Sequence, residues 1–581
     1  MYKQLMFFLT AVLAALMIAE CSTGKDTPAK PAQPVISECE LKAVSGDIGQ
    51  YGGALVLMAL SDPKTFNPVT ASETSSTEII DHIFSGLVEM NGETMDYEPA
   101  LARSWSTSSD GRTWTFTLRK GLQWSDGAPL TADDVIFTFD VIFDPRIPNS
   151  TADVLSAKGH PIKARKIDEQ TVQITTAEPF APLLNGLTTP ILPKHKLEQP
   201  VRAGNFNSAW GIDTEPQKIV GCGPFVLNRY IPGQKVVLSR NPYYWKMDTA
   251  GKRLPYLDGL IYVVVPDLES MPARFMAGEA DSLSVRGSDY AMLKRQEKAG
   301  DFTMYNLGPA LGTEMLFFNM NPRAAKLDPA RRRWFSDRNF RRALACAVDK
   351  KGIISTVYDS LAVPQNGPES SANRVYYNPS VPEYPYDPAR ARILLEQAGY
   401  KDRNGDGYIE DSSGRTVAFT IITNVENKER VDQGNIIKDD LQRLGIKVTL
   451  APITFNSLVT KLDKSSDWEA CILGFTGGLE PHSGSNLWKS SGQLHIWNPA
   501  QSAPATAWEE RIDRIFDTAA VTLDKEKRKA LYYEYQEIIA DELPVIFLVT
   551  PTRTAAIRNR FGNLRPTISG AFWNEWQIYV R

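Results

Sequence analysis

The five histidines, His82, His160, His195, His482 and His495, are the first residues to test for chemistry. None belongs to an HExxH zinc pair, and no Gly-x-Ser-x-Gly elbow presents a nucleophilic serine. Asp and Glu total 68, so a carboxylate pair for glycoside hydrolysis can be drawn from many positions, and the sequence marks none of them. An exported hydrolase is therefore the weakest function class, and no catalytic residue is assigned. Gly221-Cys222-Gly223-Pro224 starts like a phosphate-cradling loop. It lacks the third glycine and the Lys-Ser/Thr pair, and a backbone turn explains it better.

Oxygen ligands are more suggestive. In DRNGDGYIEDSSG, Asp402, Asn404, Asp406 and Gly407 fit positions one, three, five and six of a calcium loop, and Ile409 fits position eight, with Glu410 beside it. Ser413 stands at position twelve, where the bidentate glutamate belongs. A tight Asn/Asp/Gly turn before a strand uses the same residues. The expectation is therefore no metal and no cofactor, with this loop as a low-affinity calcium candidate. Aromatic residues concentrate farther on: Trp468, Phe475, Trp488 and Trp497. Such rings wall ligand chambers, stack on sugars, or fill cores. The glycines and prolines among them make much of the segment a loop, where binding groups tend to sit. Phe475, Glu480, Trp488 and Trp497 are thus pocket candidates, and Trp468 reads as core.

These groups must be positioned by a large chain. Its 581 residues exceed one ordinary core, so two or three lobes are expected. Hydrophobic content of 43% and charged content of 23% suit a globular protein, and a net charge of -4 argues against a nucleic-acid partner. Lys3 precedes an apolar run over residues 5–19, followed by Glu20 and Cys21. The run is too short to span and reads as an export signal over 1–20, with Cys21 the lipidation candidate. Residues 21–48 read as a tether. Cys346 and Cys471 read as buried free thiols, with an oxidised pair between them as the alternative in an exported chain.

The stretch 99–143 carries the densest pattern. Trp114, Phe116 and Leu118 alternate with threonines, as in a half-buried strand. Asp110-Gly111, Lys120-Gly121 and Asp126-Gly127 mark turns, and Thr131 with Asp134 forms a capping box ahead of Val135, Phe139 and Ile142. Farther on, residues 336–358 read as one helix with Phe340, Leu344, Val348 and Ile353 on a broad face. Asp387-Pro388 starts another helix that Gly399 ends, and residues 524–543 form a further amphipathic helix. Alternating strands and helices give an α/β class.

Ala102, Trp105, Asp110, Gly111, Leu118, Arg119, Gly121, Asp126, Gly127, Pro129, Leu130, Thr131, Ala132, Asp134 and Val135 together resemble the signature of family 5 extracellular solute-binding proteins. That resemblance implies a two-lobed, hinge-closing periplasmic-binding-protein type II fold with an extra small subdomain. The implied division is lobe I over 49–90, 207–312 and 545–581, the small subdomain over 91–206, and lobe II over 313–544. It implies the substrate-binding component of an ABC importer, a monomer, lipid-anchored outside the cytoplasm and working with ABC permease subunits. It also places the loop holding Phe66 and Asn67 next to the ligand. Oligopeptide is the first ligand class and oligosaccharide the alternative. Peptide-binding members often carry Trp-x-x-Asp-Tyr-x-Asp-Pro, whose aspartate meets the peptide ammonium. Here Phe475-Thr476-Gly477-Gly478-Leu479-Glu480-Pro481 lacks it, so Glu480 is the nearest substitute.

Overall fold

A computed structural model describes residues 39–581. The expected signal over 1–20, lipidation at Cys21 and most of the tether lie outside the described residues. The tether ends earlier than 48. Lys42–Val44 is a strand paired in parallel with Lys246–Asp248. Lys42 Nζ donates to Glu89 Oε1 at 2.7 Å and to Glu98 Oε2 at 3.1 Å. Those charges, not an apolar period, hold the segment, which is why alternation gave no signal.

The densely patterned stretch builds the small subdomain. Ala102–Thr107, Thr113–Leu118, Thr171–Thr175 and Lys163–Asp168 form a four-stranded antiparallel sheet in that order. Asp134 Oδ2 accepts from Thr131 N at 2.9 Å and Thr131 Oγ1 from Asp133 N, so the expected capping box opens the helix Ala132–Ile142. Val135, Phe139 and Ile142 pack with Phe116, Trp124 and Ile174 of the subdomain. Phe137 and Val141 pack instead with Leu55, Ile83 and Leu260 of lobe I. One helix thus closes two cores. Leu192, Leu197 and Phe206 also belong to the lobe I core, while Tyr244, Trp245 and Tyr256 join the subdomain core. Residues 192–206 thus pack on the lobe I core while the subdomain core borrows rings from farther along the chain.

Lobe I holds the sheet Phe225–Ile231, Lys235–Arg240, Gly259–Val264, Ala54–Ala59, the last pair parallel. The Gly221 turn joins lobe I to the small subdomain: Ser125 N donates to Gly221 O at 2.9 Å, and Gly223 N donates to Ile83 O at 2.7 Å, satisfying an end carbonyl of the helix Thr74–Ile83. Lobe II holds five strands in the order Lys447–Ile453, Ala418–Asn424, Ala470–Phe475, Thr313–Phe318, Val545–Phe547. The first three are mutually parallel. Helices Ala507–Val521 and Lys525–Glu542 cover one side through Ile512, Phe516, Tyr532 and Tyr535.

Two differences in lobe II have local causes. The helix expected over 336–358 is two, Arg338–Ala347 and Lys350–Thr356, because Asp349 accepts from Gly352 N at 2.8 Å and caps a new start. All four expected face residues are nonetheless buried. The chain is still in lobe II at 545: Val545–Phe547 pairs with Thr313–Phe318, Leu548 and Val549 lie in the lobe II core, and pairing with lobe I starts at Thr552. The following strand, Val549–Arg558, pairs first with Ala362–Pro364 and then with Phe302–Pro309 of lobe I. Cys346 and Cys471 are free buried thiols, without the alternative disulfide.

Candidate functional site in the inter-lobe cleft

The parallel strands of lobe II end together at Asn424, Ile453 and Phe475, and the antiparallel Thr313–Phe318 starts opposite Phe475. The carboxyl edge of the sheet is therefore where the chain enters from lobe I, and open α/β sheets bind ligands at that edge. The entry is close-packed. A Cβ on Gly477 would lie 1.9 Å from Leu311 O, so only glycine lets the loop after Phe475 lie against the connecting strand.

A buried ion pair stands at this edge. Arg430 Nε donates to Glu314 Oε2 at 2.8 Å and Nη2 to Oε1 at 3.0 Å, while Nη1 reaches Asn424 Oδ1 at 3.0 Å. Gly474, opposite Glu314 in register, leaves the space the pair fills. Asn427 caps the helix Lys428–Gln442 by accepting from Arg430 N, which fixes where Arg430 and Glu429 start. Burial, with the Glu314 charge added, pushes Glu429 up to about 7, and Arg286 of lobe I opposes the rise. Arg286 is itself held by Asp289, Nε to Oδ2 at 2.6 Å.

On the lobe I side, the helix Thr74–Ile83 buries Ile79, Ile80 and Ile83. Glu78 and Asp81 point the other way and are reached by solvent, yet protein crowds them. Desolvation raises both, Asp81 to about 6, with His82 opposing. His82 Nδ1 lies 2.6 Å from Glu575 Oε2 and its Nε2 2.6 Å from Tyr262 Oη. Contacts bridge the rim: Ala181 N donates to Ala520 O at 2.8 Å, Asn486 Nδ2 to Asp153, and Phe180 meets His482 edge-on at 5.5 Å.

The candidate residues are placed unequally. Phe66 is fully buried, edge-on to Tyr230 at 5.7 Å, and Asn67 donates to Phe206 O and Ala209 O, both at 3.2 Å. Both brace their loop from inside and offer no face to a ligand. Trp488 and Trp497 pack at 5.9 Å in the lobe II core with Tyr535 and Phe547, as does Trp468. Phe475 is half-buried on Phe317 at the strand end. Glu480 is already neutralised: Arg528 Nη2 donates to its Oε1 at 2.5 Å, and Arg528 lies over the rings of Tyr376 and Tyr532. Burial, the largest single influence, would lower the Arg528 affinity for its proton, but the Glu480 charge and hydrogen bond together with Tyr532 and Tyr376 outweigh it and the pKa rises.

Residues 96–495 match the sequence model of the bacterial extracellular solute-binding proteins, family 5. This chain belongs to that family. A probable ABC transporter-binding protein of Deinococcus radiodurans is 30% identical, covering 87% of this chain and 88% of its own. The oligopeptide-binding protein AppA of Bacillus subtilis, solved with a nonapeptide, is 26% identical with a TM-score of 0.78, covering 92% of this chain and all of that one. The periplasmic binding protein MelB of Agrobacterium fabrum, solved with stachyose, has a TM-score of 0.80 at 23% identity, over 92% of this chain and 86% of its own. The family members are extracellular binding proteins, not enzymes, and among the described residues no helix is long and apolar enough to cross a membrane.

For a family 5 protein, the sequence reading missed Asn424, Glu429, Arg430 and Glu314. One signal was available. A strand ending at Asn424, a capping Asn427 and a helix start form the strand-turn-helix that places side chains at a sheet's carboxyl edge. The partner Glu314 had no local signal, being 116 residues away.

Proposed function

We propose that this protein is the substrate-binding component of an ABC importer that captures an oligopeptide between its lobes and hands it to the permease. The reading is supported above all by similarity over 92% of the chain to AppA, whose solved form holds a nonapeptide. The cleft chemistry agrees. Asp81 at about 6 and Glu429 at about 7 are carboxylates that a cationic ligand group would relieve. A peptide supplies an α-ammonium; a neutral sugar supplies none. The buried Trp488 and Trp497 offer no stacking platform for a sugar, so the alternative, an oligosaccharide, keeps only the missing aspartate among its sequence arguments. Glu480, occupied by Arg528, passes the ammonium role to Glu429. Ligand affinity for the closed arrangement drives hinge closure, and ATP hydrolysis belongs to partner subunits.

Calorimetry with free and N-acetylated oligopeptides tests this. Glu429→Gln is expected to weaken free peptides by about ten- to a hundredfold, the worth of a charged hydrogen bond, and acetylated ones much less. Equal losses remove Glu429 from the role. Tryptophan quenching by oligosaccharides, with no response to peptides, reverses the ligand class. Lipidation at Cys21 and a monomeric state complete the proposal. Cys21→Ser should release the protein from the membrane fraction, and size-exclusion chromatography should give one chain per particle.

A further inference from the structure

The loop between the helix Pro388–Gln397 and the strand Ala418–Asn424 lies apart from the cleft contacts described above. Asp402, Asp406 and Glu410 each offer a carboxylate oxygen there, all within 4.8 Å of one another. Acidic clusters on exposed turns are common, but Glu410 is not exposed: it is 3% accessible. Its Oε2 accepts from Arg403 N at 2.8 Å, while its buried Oε1 has no hydrogen-bond partner. Buried carboxylate oxygens are seldom left so, because desolvation is not repaid.

The neighbouring cation does not repay it. Arg403 sends its guanidinium to Gly399 O at 2.7 Å and Asp411 O at 3.3 Å. Asp411 is committed elsewhere, to Trp334 Nε1 at 2.9 Å and Arg415 N at 3.1 Å, and is held near 2. The loop backbone meanwhile has the form a hard cation uses. Asp402 accepts from Gly405 N at 2.7 Å and Gly407 N at 2.9 Å, which curls the chain around the carboxylates. Asn404 Oδ1 accepts from Asp406 N at 2.8 Å and its Nδ2 donates to Asp406 Oδ2 at 3.2 Å, which holds the amide on the same turn.

We propose that this loop is a calcium site, with Asp402, Asn404, Asp406 and Glu410 as side-chain ligands and the position-seven carbonyl of Tyr408 completing the oxygen set. Glu410, at position nine, takes over from the glutamate that Ser413 replaces at position twelve. The all-oxygen, flexible set suits calcium over magnesium, which demands a tight octahedron. The site ties the loop to the sheet: Val417 N donates to Ile409 O at 2.8 Å and Ile409 N to Gly445 O at 2.9 Å. It thereby anchors the strand that carries Asn424 to the cleft.

Calorimetric titration of the chelator-stripped full chain with calcium chloride, without peptide, tests the site. Saturable one-to-one binding is expected with Kd of about 10⁻⁴–10⁻³ M, the range of extracellular modules, and magnesium should bind at least about tenfold more weakly. Asp406→Asn keeps the acceptor for Tyr408 N, so the melting temperature in chelator should hold while calcium affinity falls at least about tenfold. Glu410→Gln should abolish saturation. No saturable heat from the native chain, or unchanged affinity in Asp406→Asn, overturns the proposal. Neither outcome bears on peptide binding, which is measured separately.

Discussion

In the small subdomain, the turns and the helix start are held by partners a few residues away. Asp110 accepts from Ser108 Oγ at 2.6 Å and Arg112 N at 3.1 Å, and Thr131 exchanges bonds with Asp134. In the segment 475–497 the partners come from far along the chain: Glu480 takes Arg528, His495 lies 3.1 Å from Glu509, and Asn486 reaches Asp153 in the subdomain. Local bonding fixes turns and caps without help from distant parts of the chain. Remote bonding makes a surface whose integrity depends on several elements staying in place, which is what a hinge-closing receptor needs along its cleft.

The sharpest way to break this contrast is Arg528→Met. It leaves Glu480 buried and unpaired, at a cost of about 3–5 kcal/mol, read from urea unfolding. The double variant Arg528→Met with Glu480→Leu should recover most of that loss; no recovery would mean that Arg528 matters through packing alone. Asn486→Ala should cost about 1–3 kcal/mol, by leaving the Asp153 carboxylate short of a donor, and should weaken ligand binding by loosening the rim. Thr131→Ala should cost about 1 kcal/mol, the worth of one cap, with ligand affinity unchanged. An affinity loss there would show that the subdomain is more than scaffold.

The smallest effect is a pH slope. Burial, reinforced by Glu314, lifts Glu429 from 4.5 to about 7, so the folded state holds its proton more tightly than the unfolded chain does. The contribution of Glu429 to stability should then be full below about 4.5, fall as pH rises to about 7 and level off beyond. Glu429→Gln should flatten that window in pH-dependent unfolding. A slope of the same size in the variant would assign it to Asp81 and Glu78 instead.

Much of the fold was legible because its signals are short-range. The turn at Asp110, the cap at Thr131, the proline start at Pro388 and the long helix after Asp524 all appear where their residues put them. The break at Asp349 was missed because a continuing apolar face hides a cap. The candidate site was less legible. Phe66, Asn67, Trp488 and Trp497 have the residue types of a binding wall, yet all four are buried. Burial depends on which elements converge, and residue type alone does not say.

Amino-acid order by itself determined the family, the α/β class, the subdomain's strands and the capped helices. These rest on backbone preferences and spacings that act within a few residues. Tertiary structure decided that Arg528 neutralises Glu480, that Arg430 meets Glu314, and that the buried Glu410 carboxylate lies within 4.8 Å of those of Asp402 and Asp406. Charge pairing and desolvation depend on distance through space, and only the folded chain sets those distances.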